Sequence, residues 1–118
     1  MVQKYFNKYR IAIRTDYYTK QDEYGIKNYI DLQCYDTNVS MSNPVAELRF
    51  HDNVNFRKNH YLADSDRIIL TFNINRFNDI YNLIRYEKPV YAYVDPQTLD
   101  GHVGSQLESV GQEDIEQP

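Results

Sequence analysis

Residues 67–94 read RIILTFNINRFNDIYNLIRYEKPVYAYV, and this stretch separates an all-β fold from a mixed one. Its first part, Arg67 to Ile74, is apolar on both faces at Ile68, Ile69 and Leu70. That is the pattern of a strand lying inside a sheet or covered on both sides. The period then changes. Phe77, Ile80, Tyr81 and Ile84 recur at spacings of three and four with Leu83 beside them, while Asn78, Asp79, Asn82 and Arg85 fall opposite. This predicts an amphipathic helix. Asn73 or Asn75 can cap its start, because a short amide side chain accepts from the unsatisfied N–H groups of a first turn. Pro89 ends it, since the residue before a proline is pushed toward extended backbone. Val90 to Val94 then returns to strand alternation.

Working upstream, Tyr9 to Tyr17 alternates cleanly, with Tyr9, Ile11, Ile13, Thr15 and Tyr17 on one face. Tyr29 to Tyr35 follows, with Ile30, Leu32 and Cys34 inward. Val45 to His51 turns Ala46, Leu48 and Phe50 inward. Residues 52–66 are polar and aperiodic and read as a long loop. Downstream, Asp95-Pro96 and Asp100-Gly101 make a turn, and a sixth strand runs from His102 to about Val110. Residues 1–111 therefore form one α+β domain in the order β-β-β-β-α-β-β: a mostly antiparallel six-stranded sheet with the helix on one face. The alternative is a small, partly open β-barrel capped by the helix. The path from Arg67 to Val94 also has the length of a right-handed βαβ crossover. Residues 112–118 read as an acidic, disordered tail.

Matching apolar faces gives an expected register. Ile13 falls opposite Leu32 and Ile11 opposite Cys34. Leu32 then meets Phe50, and Cys34 meets Leu48. The polar face acquires the rows Arg14–Asp31–His51 and Arg10–Tyr35–Glu47. In the last hairpin Val94 meets Val103 and Val90 meets Leu107. This sets Tyr93 over Gly104, Tyr91 by Gln106 and Asp95 near His102. A slip of two residues preserves every face and changes every partner, so faces are better determined than pairs.

Composition limits the function classes. One cysteine allows no intrachain disulfide, so the fold rests on a packed core. The stretch Met1 to Phe6 lacks the apolar run of a secretory leader, and no window is long and apolar enough to span a bilayer. A cytoplasmic location is the expectation. The net charge is −4, and no Lys or Arg follows Lys88. Nucleic acid is thus not an expected partner, because such binding needs a dense basic face. The basic, aromatic stretch Lys4 to Arg10, with Arg57 to His60, forms at most a small patch on which bases could stack.

Chemistry-bearing motifs are sparse. There is no phosphate-cradling glycine loop, no CxxC and no HxxxH, and no cofactor is expected. His60, Asp64 and Asp66 share the polar loop and suit a solvated surface better than a cation. Cys34 alternates with Ile30 and Leu32 and reads as a buried apolar residue rather than a reactive thiolate. Two acid–base pairs can be drawn, Asp31 with His51 and Asp95 with His102. Exposed ion pairing and turn closure account for them more simply, and no catalytic residue is assigned.

The excess that remains is aromatic: twelve Tyr and no Trp. Tyr suits strands, and it also suits interfaces, where an apolar ring carries a polar tip. The sequence reads as a non-catalytic binding or assembly module that associates with itself, or with another protein, through a Tyr-rich sheet surface. Tyr29, Tyr35, Tyr91 and Tyr93 are the candidates. The alternative is a protein for a small anionic or nucleotide-like ligand, stacked on Tyr and met by Arg10, Arg14 and Arg49. A hydrolase using one of the His–Asp pairs is the third reading.

Overall fold

The computed structural model describes residues 1–14, 29–52 and 58–106. Among these, strands run β1 Val2–Phe6, β2 Lys8–Arg14, β3 Tyr29–Tyr35, β4 Ala46–His51, β5 His60–Leu62, β6 Arg67–Asn73, β7 Val90–Val94 and β8 Gly101–Ser105. One α-helix, α1 Phe77–Tyr86, follows a 3-10 turn at Ile74–Arg76. The strands form two open sheets in place of the single sheet expected. The smaller has the order β1-β7-β8 and the larger β2-β3-β4-β6-β5. Neither order returns on itself, so the barrel alternative does not hold for the described residues. The α+β class does. No helix among the described residues is long and apolar enough to cross a membrane.

The helix follows from the sequence pattern. The Asn73 side chain accepts from the Asn75 N–H at 3.0 Å and caps the 3-10 turn that leads into α1. Ile80 is buried, and Phe77 and Ile84 pack against the core, while Asn78, Asp79, Asn82 and Arg85 are exposed. The helix stops before Pro89 as expected.

The inward faces of both sheets meet this helix in one core. The larger sheet contributes Leu32, Cys34, Leu48, Phe50, Ile68 and Leu70, all with no exposure. The smaller contributes Phe6, Val90, Ala92 and Val94. Phe50 stacks on Phe72 at 5.4 Å between ring centres and meets Phe77 edge-on at 5.2 Å. Strand β6 lies between β4 and β5, with Ile68, Ile69 and Leu70 all buried, which is what its two apolar faces demand.

Every hairpin register differs from expectation by two residues. Ile11 pairs with Leu32, Leu32 with Leu48, and Cys34 with Ala46. Tyr91 pairs with Gly104 and Tyr93 with His102. The apolar faces are kept and the polar rows become Ala12–Asp31–Arg49 and Arg10–Gln33–Glu47. Two further corrections concern topology. Strand β6 runs parallel to β4, so the crossover joins these two. Strands β6 and β7 lie in different sheets, which removes the βαβ unit drawn from Arg67 to Val94. The polar stretch at 52–66 contains β5, paired with β6. The tail at 112–118 and Arg57 lie outside the described residues.

Polar ties hold the two sheets together. Asn59 donates to the Leu99 carbonyl at 3.0 Å and accepts from the Thr71 N–H at 2.8 Å, so one amide links the β7–β8 turn to β6. Lys4 of β1 pairs with Asp66 in the β5–β6 turn. Gly101 approaches Leu70 so closely that an added Cβ would lie 2.5 Å from Leu70 Cδ2. Only glycine fits at that crossing without displacing the core.

Candidate functional site

Strand alternation sends the odd residues of β1 and β7 away from the core, together with His102 and Gly104 of β8. Two rows result: Gln3–Tyr93–His102 and Tyr5–Tyr91–Gly104. Their side chains form one connected layer. Tyr93 stacks on His102 at 4.7 Å with planes 25° apart. Tyr91 meets His102 edge-on at 5.5 Å and shares a 3.2 Å hydrogen bond between its hydroxyl and Nε2. Tyr5 meets Tyr91 at 5.7 Å and 63°. Gln3 and Gln106 both donate to the Tyr5 hydroxyl, at 3.1 and 3.4 Å.

Gly104 shapes the middle of this layer. A Cβ there would lie 2.9 Å from the Tyr91 hydroxyl and 3.1 Å from Cζ. The Tyr91 ring therefore lies across bare backbone, a cross-strand aromatic cover for a strand glycine. Tyr5 is 39% exposed, Gln3, His102 and Gln106 are exposed, and Tyr91 and Tyr93 are half-buried. No Asp, Glu, Lys or Arg stands in either row. The layer offers ring surface, hydroxyls and amides in fixed positions, so a partner docking on it orders few side chains.

The sequence-derived candidates divide between the sheets. Tyr91 and Tyr93 belong to this layer. Tyr35 sits in β3 of the larger sheet, is buried, and donates to Gln33 Oε1 at 3.1 Å. Tyr29 pairs with Arg14 and with His51 along the backbone; the side chains of Tyr29 and Arg14 are outside the description. Arg10 lies 5.9 Å from the centre of the Tyr35 ring. Arg49 is committed to Glu47, whose other oxygen takes Arg67, each pair at 2.8 Å. Arg10, Tyr35 and Arg49 stand on one face of the larger sheet, Arg10 over the Tyr35 ring and Arg49 on Glu47.

The acid–base candidates are likewise redistributed. Asp31 pairs across from Arg49 and His51 from Tyr29, leaving the two diagonal on one face, both buried. The Asp95 carboxylate accepts from the Gln97 N–H at 2.9 Å and the Thr98 N–H at 3.4 Å within the β7–β8 turn. Those bonds, Gln97 first, hold its carboxyl below the ordinary Asp range. Cys34 has no exposure, and burial pushes its thiol far above the usual range, which suits a core residue. Among the described residues no cluster of His, Cys, Asp and Glu is arranged for a metal ion. His60 bonds the Lys58 carbonyl, and Asp66 is taken by Lys4 and Tyr61.

Sequence reading missed Gln3 and Tyr5, because β1 was not foreseen. The alternation of Val2, Lys4 and Phe6 against Gln3 and Tyr5 was present, but Lys4 in an inward position obscured it. Its ammonium reaches Asp66. No protein-family model, curated protein or solved structure matches the chain.

Proposed function

We propose that the chain is a non-catalytic assembly module that associates with a second copy of itself through the Tyr5–Tyr91–Tyr93–His102 layer. The observation that supports this most is the contrast between the faces of the smaller sheet. One face packs Phe6, Val90, Ala92 and Val94 into the core; the other presents linked rings without formal charge. A chain of net charge −4 repels its copies in general. An uncharged patch is where two copies meet with least electrostatic cost, and a twofold arrangement lets the same patch serve both. Tyr and His also bring hydroxyl and imidazole groups that pair across such a contact.

Three strands of five residues, about 4.8 Å apart, give a patch well below the roughly 800 Å² per partner of a stable complex. The association is accordingly weak and concentration-dependent. A cytoplasmic setting belongs to the same proposal and rests on the single, core-buried cysteine. Concentration-dependent NMR shifts test the reading. Changes centred on Gln3, Tyr5, Tyr91, Tyr93 and His102 are expected; changes confined to the larger sheet would refute it.

A further inference from the structure

The chain crosses from the smaller sheet to the larger at Asn7, whose N–H bonds the Tyr35 carbonyl at 2.9 Å. Nearby, α1 ends and Glu87 to Pro89 lead into β7. Between these two passages lies a cleft of about 560 Å³, in the size range of small-molecule sites. Its apolar lining is Phe6, Ile84, Pro89 and Val90. Phe6 and Val90 also belong to the core, so this lining is held by packing.

The polar groups around the cleft divide into engaged and available. The Asn7 amide is bound to Thr37, and the Tyr9 ring meets Tyr81 edge-on at 6.0 Å. Lys8 and Lys88 also line the cleft, are exposed, and make no ion pair among the described residues. Elsewhere Lys4, Arg49, Arg67 and Arg76 each have a carboxylate. Two exposed lysines without an ion pair among the described residues, set beside an apolar floor, favour an anion with an apolar body. Glu87 lines the same cleft, and its Oε2 is buried without a hydrogen-bond partner among the described residues. That carboxylate repels a dianion more than a monoanion, which argues against phosphate esters.

We infer that this cleft binds a small amphipathic monocarboxylate. Its hydrocarbon lies on Phe6, Ile84 and Val90, and its carboxylate is met by Lys8 and Lys88. This site is separate from the Tyr layer, and its test does not depend on self-association.

The test is calorimetric titration of the full chain with 4-phenylbutyrate and octanoate, beside neutral 4-phenylbutyramide. Both carboxylates are expected to bind, and the amide at least about tenfold more weakly. Lys8→Gln and Lys88→Gln, both at exposed positions, should each weaken the carboxylates several-fold and leave the amide unchanged. Glu87→Gln should bind phenylpropylphosphonate more tightly than the natural chain does. Equal binding of amide and carboxylate, carboxylate binding indifferent to both lysine substitutions, or no heat from either carboxylate at about 10 mM would overturn the inference.

Discussion

The Tyr91 ring lies on Gly104 of the neighbouring strand, so near that a Cβ at residue 104 would come within 2.9 Å of the Tyr91 hydroxyl. Gly101, three residues earlier, is crowded from the opposite side by Leu70 and by the Tyr93 carbonyl at 3.0 Å. The two glycines should respond differently to the same methyl group. At Gly104 the obstacle is the free end of a side chain, which can swing out. At Gly101 it includes backbone. Gly101→Ala is expected to cost about 1–3 kcal/mol, the range for overpacking, and Gly104→Ala less than about 1. Urea denaturation of both variants measures this; equal losses would contradict it.

Asn59 is the polar link between the sheets. Asn59→Ala leaves the Thr71 N–H and the Leu99 carbonyl without their partner, and an unsatisfied buried group costs about 1–3 kcal/mol. Amide hydrogen exchange should quicken at Thr71. Unchanged exchange and stability would mean that the apolar core alone fixes the sheets together.

Glu47 is clamped by Arg49 and Arg67 on the larger sheet's second face. The carboxylate side chain is 9% exposed, but the guanidinium side chains keep 38% and 24%. Removing the charge should therefore cost less than the 3–5 kcal/mol of a fully buried pair. Glu47→Gln is expected to lose about 1–3 kcal/mol by denaturant titration. A neutral or stabilising outcome would show that the clamp adds nothing to stability.

Asp66 accepts from Lys4 first and then from Tyr61, and both bonds hold its carboxyl below the ordinary range. A lowered folded value means that the contribution is present above the unfolded value. It is lost as pH falls through the folded one, which places the loss below about pH 4. Asp66 is 59% exposed, so the effect stays under about 1 kcal/mol. Asp66→Asn should lower the melting temperature slightly at neutral pH and converge with the natural chain in acid, so that the acid limb of the profile becomes shallower. An acid limb unaltered by this substitution would assign acid loss to other carboxylates.

The sequence made the faces legible and left the pairings hidden, for one physical reason. Alternation repeats every two residues, so it places Ile11, Leu32 and Phe50 on one side whichever register the hairpins choose. All three expected hairpins slipped by that period. The idea of a Tyr covering a strand glycine survived the slip, with Tyr91 in place of Tyr93. The helix was readable because Phe77, Ile80 and Ile84 repeat at a spacing no strand shares. The division into two sheets was not readable. It depends on β1, where a lysine reaches from an inward position to Asp66, and on the single residue Asn7 between β1 and β2. The three-residue β5 was too short to show a period at all.

Sedimentation equilibrium from about 10 µM to about 1 mM, a range set by a patch smaller than a standard interface, tests the central reading most directly. The natural chain is expected to move from monomer toward dimer as concentration rises. Tyr93→Glu, which sets two like charges face to face, should remain monomeric with an unchanged circular dichroism spectrum. A natural chain that stays monomeric throughout, or a Tyr93→Glu variant that dimerises as readily, would contradict the assignment of the outer tyrosine layer to self-association.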